Sequence, residues 1–326
     1  MYNNIKLENE LYAITGKSFT QALSELDPDS NYKGTELEGL DAFERQLKRF
    51  DIKISGRNSD RVEKFFQTAE SSVLFPEYVR RTIKQGMEEA SIFNDVAASM
   101  SYIDAIDFRS LTTSVNNAAS TADQADALKT NVVTLASPAK PMVKYGRCLE
   151  FSYETIRKQR LDTVGVLLKR MGAQISREMN TAAIDEVITG LTPQTISGTK
   201  LTYNDLASFW ASMDTYDMSV MVVSPATLAN ILSIEEMKNY QYDYVSENAV
   251  KTPFGVTLVK CPGLSDNIAV GIDKSCAVEV VFGTDLIIET DKEIISQCNQ
   301  ITASITAGFA KISDGSVRTI KTSSNA

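Results

Sequence analysis

LDTVGVLLKRMGAQISREMNTAAIDEVITG, residues 161–190, is the stretch that decides the fold. Leu161, Val164, Leu168, Met171, Ile175, Met179 and Ala182 step by three or four residues, the period of one apolar face of an α-helix. Asp162 stands where an N-terminal cap is expected, and Gly190 where a left-handed terminating residue belongs. A helix over 161–188 would be ~42 Å long at 1.5 Å per residue. That is long for a compact domain, so the stretch predicts a strut.

Downstream of the strut the pattern alternates. Residues 205–213 and 226–232 are predicted helical, and 219–223, 256–260, 267–271 and 277–282 are predicted strands, a compact α/β unit over 200–290. Beyond it, Ile301, Ala303, Ile305, Ala307 and Phe309 alternate with polar or small residues, the mark of a long strand. The turn signal Asp314-Gly315 and Val317 to Lys321 predict its return through a hairpin.

Upstream, Met142 to Phe151 alternates as a strand and Tyr102 to Phe108 is extended. Thr112 to Lys129 is rich in Ser, Thr, Asn, Ala and Asp, with almost nothing to bury. Val132 to Leu135 reads as strand again, and Pro138 and Pro141 argue for an edge or a bend. Two strands joined by a long polar tip predict a protruding hairpin. Helical periodicity also runs from Asp60 to Ala98, with a turn predicted at Pro76. Residues 1 to about 60 are polar and poorly periodic, apart from Leu37, Leu40, Phe43, Leu47 and Phe50 at helical spacing. They read as an arm that needs another surface to lie on.

Composition removes several functional classes. Apolar residues at 43% and charged residues at 23% are those of a folded globular chain. With no histidine, Ser-His-Asp and Cys-His catalysis are excluded. No GxxxxGK or GxGxxG phosphate loop occurs. Glu88-Glu89, Asp104 with Asp107, Glu178 with Asp185, and Glu235-Glu236 are carboxylate pairs that read as solvated faces or caps. Cys148, Cys261, Cys276 and Cys298 lack zinc-site spacing and read as reduced core thiols. No catalytic, cofactor-binding or metal-ligating residue is expected, and no cofactor. A net charge of −9 does not suit a direct nucleic-acid binder. No segment suits a membrane span or a secretory signal, which predicts a protein made in the cytoplasm. Lys169-Arg170 and Arg80-Arg81 are short basic spots expected to pair with acidic groups between subunits.

The order of these pieces resembles the major capsid proteins of tailed bacteriophages, the Hong Kong 97-like fold. The landmarks are Leu74-Phe75-Pro76-Glu77-Tyr78-Val79 leading into a helix, Leu149-Glu150-Phe151-Ser152-Tyr153-Glu154 before the strut, and Val222-Val223-Ser224-Pro225-Ala226-Thr227 between strand and helix. The resemblance implies an α+β chain: an N-terminal arm over 1–73, a discontinuous P-domain over 74–106, 145–199 and 291–326, an extended E-loop over 107–144, and an A-domain over 200–290.

It further implies a structural protein, not an enzyme, that self-assembles through pentamers and hexamers into an icosahedral or prolate head around double-stranded DNA. The expected partners are copies of itself, a portal, scaffold or decoration proteins, and packaged DNA by non-specific proximity, with no membrane. The expected location is the virion, after assembly in the host cytoplasm. Some relatives crosslink an E-loop Lys to a neighbour's Asn with help from a Glu. Lys129, Lys140 and Lys144 lie in that loop, but no Asn or Glu partner can be placed, so that chemistry is not carried over.

Interfaces are expected at Ala118 to Lys129, at Leu37 to Phe50, and at Tyr240, Tyr242 and Tyr244, since Tyr is enriched at such surfaces. Two other readings compete. An encapsulin-like nanocompartment shell would share the fold, but such shells usually lack a long N-terminal arm. An α/β enzyme with a carboxylate site is disfavoured by the missing phosphate loop and His.

Overall fold

The computed structural model describes residues 4–12, 16–114, 132–196, 198, 200–240, 250–295, 297–313 and 315–322. The chain divides into two units, one made of Met1–Ala90, Gly146–Ile175 and Leu286–Ser304, the other of Ser91–Tyr145, Ser176–Asp285 and Ile305–Ala326. It is α+β throughout, and the strut is present as the helix Leu161–Ile188. Gly190 does adopt the left-handed conformation, at φ 81°. Asp162 does not cap. It lies inside the first turn, where a carboxylate complements the positive end of the helix dipole.

The first unit is organised by a close helix crossing. The helix Leu74–Ala90 runs against the first half of the strut. A Cβ at Gly86 would lie 2.1 Å from the Lys169 carbonyl oxygen, and one at Gly172 would lie 2.1 Å from the Ile83 carbonyl oxygen. Each helix therefore presents a bare backbone to the other, which only glycine allows. Tyr78 seals one end of the crossing, its hydroxyl donating to the Leu161 carbonyl at 2.7 Å. The expected turn at Pro76 is absent. Proline sits in the first helical turn, where its missing N–H would have had no partner anyway.

The N-terminal segment departs from the reading of an arm awaiting a foreign surface. Phe19, Leu23, Tyr32, Phe43, Leu47, Ile52, Val62 and Phe65 are all buried within the chain. Two short helices, Phe19–Leu26 and Ala42–Arg49, each begin with a capping box, Ser18 with Gln21 and Asp41 with Glu44. Arg45 is fully buried between them. Its Nε donates to Asp27 at 2.7 Å, its Nη1 to Asp29 at 2.9 Å, and its guanidinium lies 4.3 Å from the Tyr32 ring centroid.

The layer is fastened to the Leu74–Ala90 helix at Glu77, whose side chain is fully buried. Glu77 accepts from Arg80 Nε at 2.9 Å, Arg81 Nε at 2.8 Å and Thr20 Oγ1 at 2.6 Å. Arg81 also pairs with Asp41, and the Tyr12 hydroxyl accepts from the Glu77 amide and donates to Val73 O. Burial alone would raise the Glu77 carboxyl, but the hydrogen bonds from Arg80, Thr20 and Arg81 together outweigh it and hold it below its ordinary value.

Three strands complete this unit. Ile287–Glu293 runs antiparallel to the first half of Cys298–Lys311, and Val143–Ser152 also pairs with the latter.

The second unit holds a six-stranded sheet in the order Gln194–Ile196, Val317–Thr322, Ile268–Ile272, Val220–Val223, Thr257–Lys260, Val250–Lys251. Val220–Val223 is buried along its whole length. Ser224 then caps the helix Pro225–Leu232, its side chain accepting from the Thr227 amide at 3.1 Å. Phe209, Leu206, Met221, Val223, Ile231 and Met237 fill the core beside this sheet.

The expected terminal hairpin does not form. Asp314 lies outside the described residues. Val317–Thr322 does not return along the long strand but pairs antiparallel with Ile268–Ile272 and parallel with Gln194–Ile196. Val278–Phe282, read as part of the α/β unit, instead pairs with Ala97–Tyr102 and with the second half of Cys298–Lys311. Burial drives both departures. Val317 and Ile320 are buried, and Val278 and Val280 are completely so. An apolar strand pairs where both faces are covered, whatever its neighbour in sequence.

Gly86→Ala and Gly172→Ala should each lower stability by about 1–3 kcal/mol through overpacking at the crossing, while Gln174→Ala, on the exposed side of the strut, should be near neutral. Denaturant unfolding measures this, and a wild-type midpoint for Gly86→Ala would contradict the close contact. Glu77→Ala should cost about 3 kcal/mol, because it removes the buried carboxylate that Arg80, Arg81 and Thr20 all bond. The depressed Glu77 pKa fixes the sign with pH. Its contribution is complete above the ordinary carboxyl value of 4.5 and is lost as pH falls through the lower folded value. Limited proteolysis of the segment before Leu74 should therefore accelerate below pH ~4 in the wild type, and already at neutral pH in Glu77→Ala.

Candidate assembly surfaces

No group of His, Cys, Asp or Glu that could hold a metal exists among the described residues. Nor, among them, is any helix long and apolar enough to cross a membrane. The surfaces that stand out are instead exposed and apolar.

The clearest is the hairpin of the second unit. Asp107–Phe108 pairs with Lys140–Pro141 at its base, and Leu111–Ser114 pairs antiparallel with Val132–Leu135 above it. The base is held firmly. Phe108 is buried against Val281 and Ala310 and lies so close to Gly308 that a Cβ there would come within 2.4 Å of its ring. Ser110 bonds Glu279, and Lys140 pairs with Glu186. Ala136 N donates to Ser110 O at 2.8 Å, and Met142 N to Ile106 O at 2.9 Å.

The strands above that base have little to bury against. Leu111 faces Leu135 across the pair, and Val133 stands two residues before Leu135 on its strand. These positions share one face because side chains alternate along a strand. Leu111, Val133 and Leu135 are 55%, 57% and 59% exposed. The hairpin thus carries an exposed apolar stripe above a fixed base, the kind of surface that marks candidate interaction sites.

The first unit carries two further features. The turn joining Ile287–Glu293 to Cys298–Lys311 exposes Ile294 and Ile295 by 81% and 97%. Nearby in the same unit is a cavity of about 420 Å³, with Phe66, Phe75, Pro76, Phe151 and Ile156 among its walls and Arg157 at its edge. Sequence reading passed over both. The adjacent β-branched pair at a turn was a usable signal; the cavity was not, because its walls come from four separated segments.

Several expectations are relocated by the structure. Phe43 and Leu47 of the Leu37–Phe50 patch are buried inside the chain and are not an exposed interface. Within the chain, Arg80 and Arg81 pair with Glu77, Arg81 also with Asp41, and Lys169 with Glu89. Ala118 to Lys129, together with Tyr242 and Tyr244 and the side chain of Tyr240, lies outside the described residues. Of the loop lysines, Lys140 is ion-paired and Lys144 exposed, while Lys129 is outside them too. None of the four cysteines is in a disulfide, and only Cys261 is a core thiol. Burial pushes its pKa up, and Cys148 is exposed.

Residues 137–297 match the family model Phage_capsid_4, phage capsid protein. No curated protein sequence matches the chain. Among solved structures, the chain is similar to the virus-like particle from Pyrococcus furiosus, with TM-score 0.55 at 11% identity over 75% of this chain and 98% of that one. It is similar to the capsid of the native GTA particle, with TM-score 0.54 at 13% identity over 74% and 91%. It is also similar to Microbacterium phage Oxtober96, with TM-score 0.51 at 14% identity over 72% and 91%. At these identities the likeness establishes the fold.

Replacing Leu111 and Leu135 together by Lys should leave the unfolding midpoint within about 0.5 kcal/mol of wild type, as surface changes do, yet abolish self-association. Circular dichroism and sedimentation velocity read the two quantities. A destabilised chain, or undiminished association, would count against the stripe as a contact surface.

Proposed function

We propose that this chain, whose residues 137–297 match the phage capsid protein family model and whose fold is Hong Kong 97-like, is a structural shell protein and not an enzyme, and that it builds, through pentamers and hexamers, the icosahedral or prolate head around double-stranded DNA. The virion shell itself is the family's assembly, and it makes the chain a homo-oligomer. The observation that carries the finer reading is the hairpin between Asp107 and Pro141, pinned at its base and apolar on its exposed strands. Such a stripe gains most when a second copy covers it. Identical copies in a closed symmetric array offer that cover at every position. Many modest contacts then add to a stable shell by multivalency.

The proposed layout has an N-terminal segment over 1–73 that packs onto its own subunit, an E-loop over 107–144 that reaches across a neighbour, an A-domain over 200–290 that meets its copies around the capsomer axis, and a P-domain made of the remaining segments. The net charge of −9 suits a wall that confines nucleic acid without gripping it. DNA is then a neighbour by proximity. A portal, and scaffold or decoration proteins, are the further partners proposed, with assembly in the host cytoplasm.

Negative-stain imaging of the purified full chain tests this reading. Closed shells made of this chain alone, or its presence in the heads of tailed particles, are the expected result. A chain that stays monomeric at high concentration would overturn it. Small uniform shells enclosing protein would instead favour a nanocompartment.

A further inference from the structure

We propose that the Ile294–Ile295 turn of one subunit seats in the apolar cavity beside Phe66 and Phe75 of a second copy. The inference rests on the shell reading above, since it needs a neighbour of the same chain. Two adjacent isoleucines almost wholly in water are an unstable arrangement for an isolated chain. They cannot fill the cavity of their own subunit. Thr290 and Asp291, with Asn299, Gln300 and Ile301, line that cavity from the same hairpin, and the Glu293–Cys298 pairing carries the turn beyond it. Reaching back would break that pairing. The knob and the hole are thus different surfaces of one unit, side by side. Contacts of this kind run head to tail and close into rings when the rotation permits.

Size and charge agree. The cavity, about 420 Å³, has room for two four-carbon side chains. Glu289, Asp291 and Glu293 fall at alternate positions, on one face of the strand that leads into the turn. Arg157, in the last turn of the short helix Tyr153–Lys158, lines the cavity. Asp291 stands on the acceptor wall as well, and its repulsion directs the arriving Glu293 toward Arg157. The isoleucines supply the buried contact, and the Glu293–Arg157 pair sets the register.

The test uses full-length chain assembled into particles, with a photo-crosslinking phenylalanine analogue at position 295 and light- and heavy-isotope copies mixed. The expected crosslinks join light to heavy chains and map to peptides containing Phe66 to Pro76 or Phe151 to Arg157. Crosslinks confined to one chain, or to other segments of a neighbour, would overturn the proposal. In parallel, Arg157→Glu should lower the assembled fraction roughly tenfold, as a like-charge contact at an interface does. Adding Glu293→Arg should restore it, and a double variant no better than the single one would also overturn the pairing. If the unmodified chain forms no particles, the shell reading itself fails and takes this inference with it. If particles form but the crosslinks fall elsewhere, only this inference fails.

Discussion

The first unit depends on a contact that has no side chains in it. Gly86 and Gly172 let two helix backbones approach until carbonyl oxygens of one fill the space where the other would carry a Cβ. An ordinary helix pair is held 8–10 Å apart by its side chains and can slide between packing classes. A glycine crossing removes that freedom, because displacement in either direction brings a bulky neighbour into the gap. Ile83 and Leu168, both fully buried, are such neighbours. The outer side of the Leu74–Ala90 helix can then serve as a fixed platform, and Glu77 uses it to anchor Thr20, Arg80 and Arg81.

The same economy of means recurs at the hairpin of the second unit. There Gly308 gives way to the ring of Phe108. In both units, glycine fixes the place from which an exposed element is presented. The presented elements are apolar, whereas the internal fastenings are largely ionic. Ion pairs that can be satisfied inside the chain are satisfied there, as Arg45 and Glu77 show. Among the apolar side chains that remain outside are Leu111, Leu135, Ile294 and Ile295, whose burial has no directional demand.

The elements with strong period were legible in the sequence. The strut, the long strand and the short strands around Val220 and Ile268 all lie where periodicity of 3.6 or 2 put them. The pairing of strands was not legible wherever it departed from sequence order, as with Val278–Phe282 and Val317–Thr322. A strand's own residues report that both faces are covered, but not by what. The burial of the N-terminal segment was missed for a different reason. Its apolar content is low because Arg45, Gln46 and Asp27 occupy interior positions, and a count of apolar residues is blind to a core closed by charge. The capping boxes at Ser18 and Asp41 were the readable clue that folded helices begin there. Among the candidate surfaces, the hairpin was foreseen by its pattern and the isoleucine turn was not.

The placement of Val317–Thr322 has a consequence for the timing of synthesis. This strand lies in the interior of the six-stranded sheet, between Gln194–Ile196 and Ile268–Ile272. While the ribosome is still translating the codons before residue 317, Gln194–Ile196 has no partner in that sheet and Ile268–Ile272 lacks a neighbour on one side. A nascent chain can fold its N-terminal layer early, but it must carry an open sheet until Thr322 has cleared the exit tunnel. Neighbouring chains on one polysome therefore meet as unfinished second units, which are poor templates for ordered contact. The sheet of the second unit closes only when this late strand arrives between its two partners.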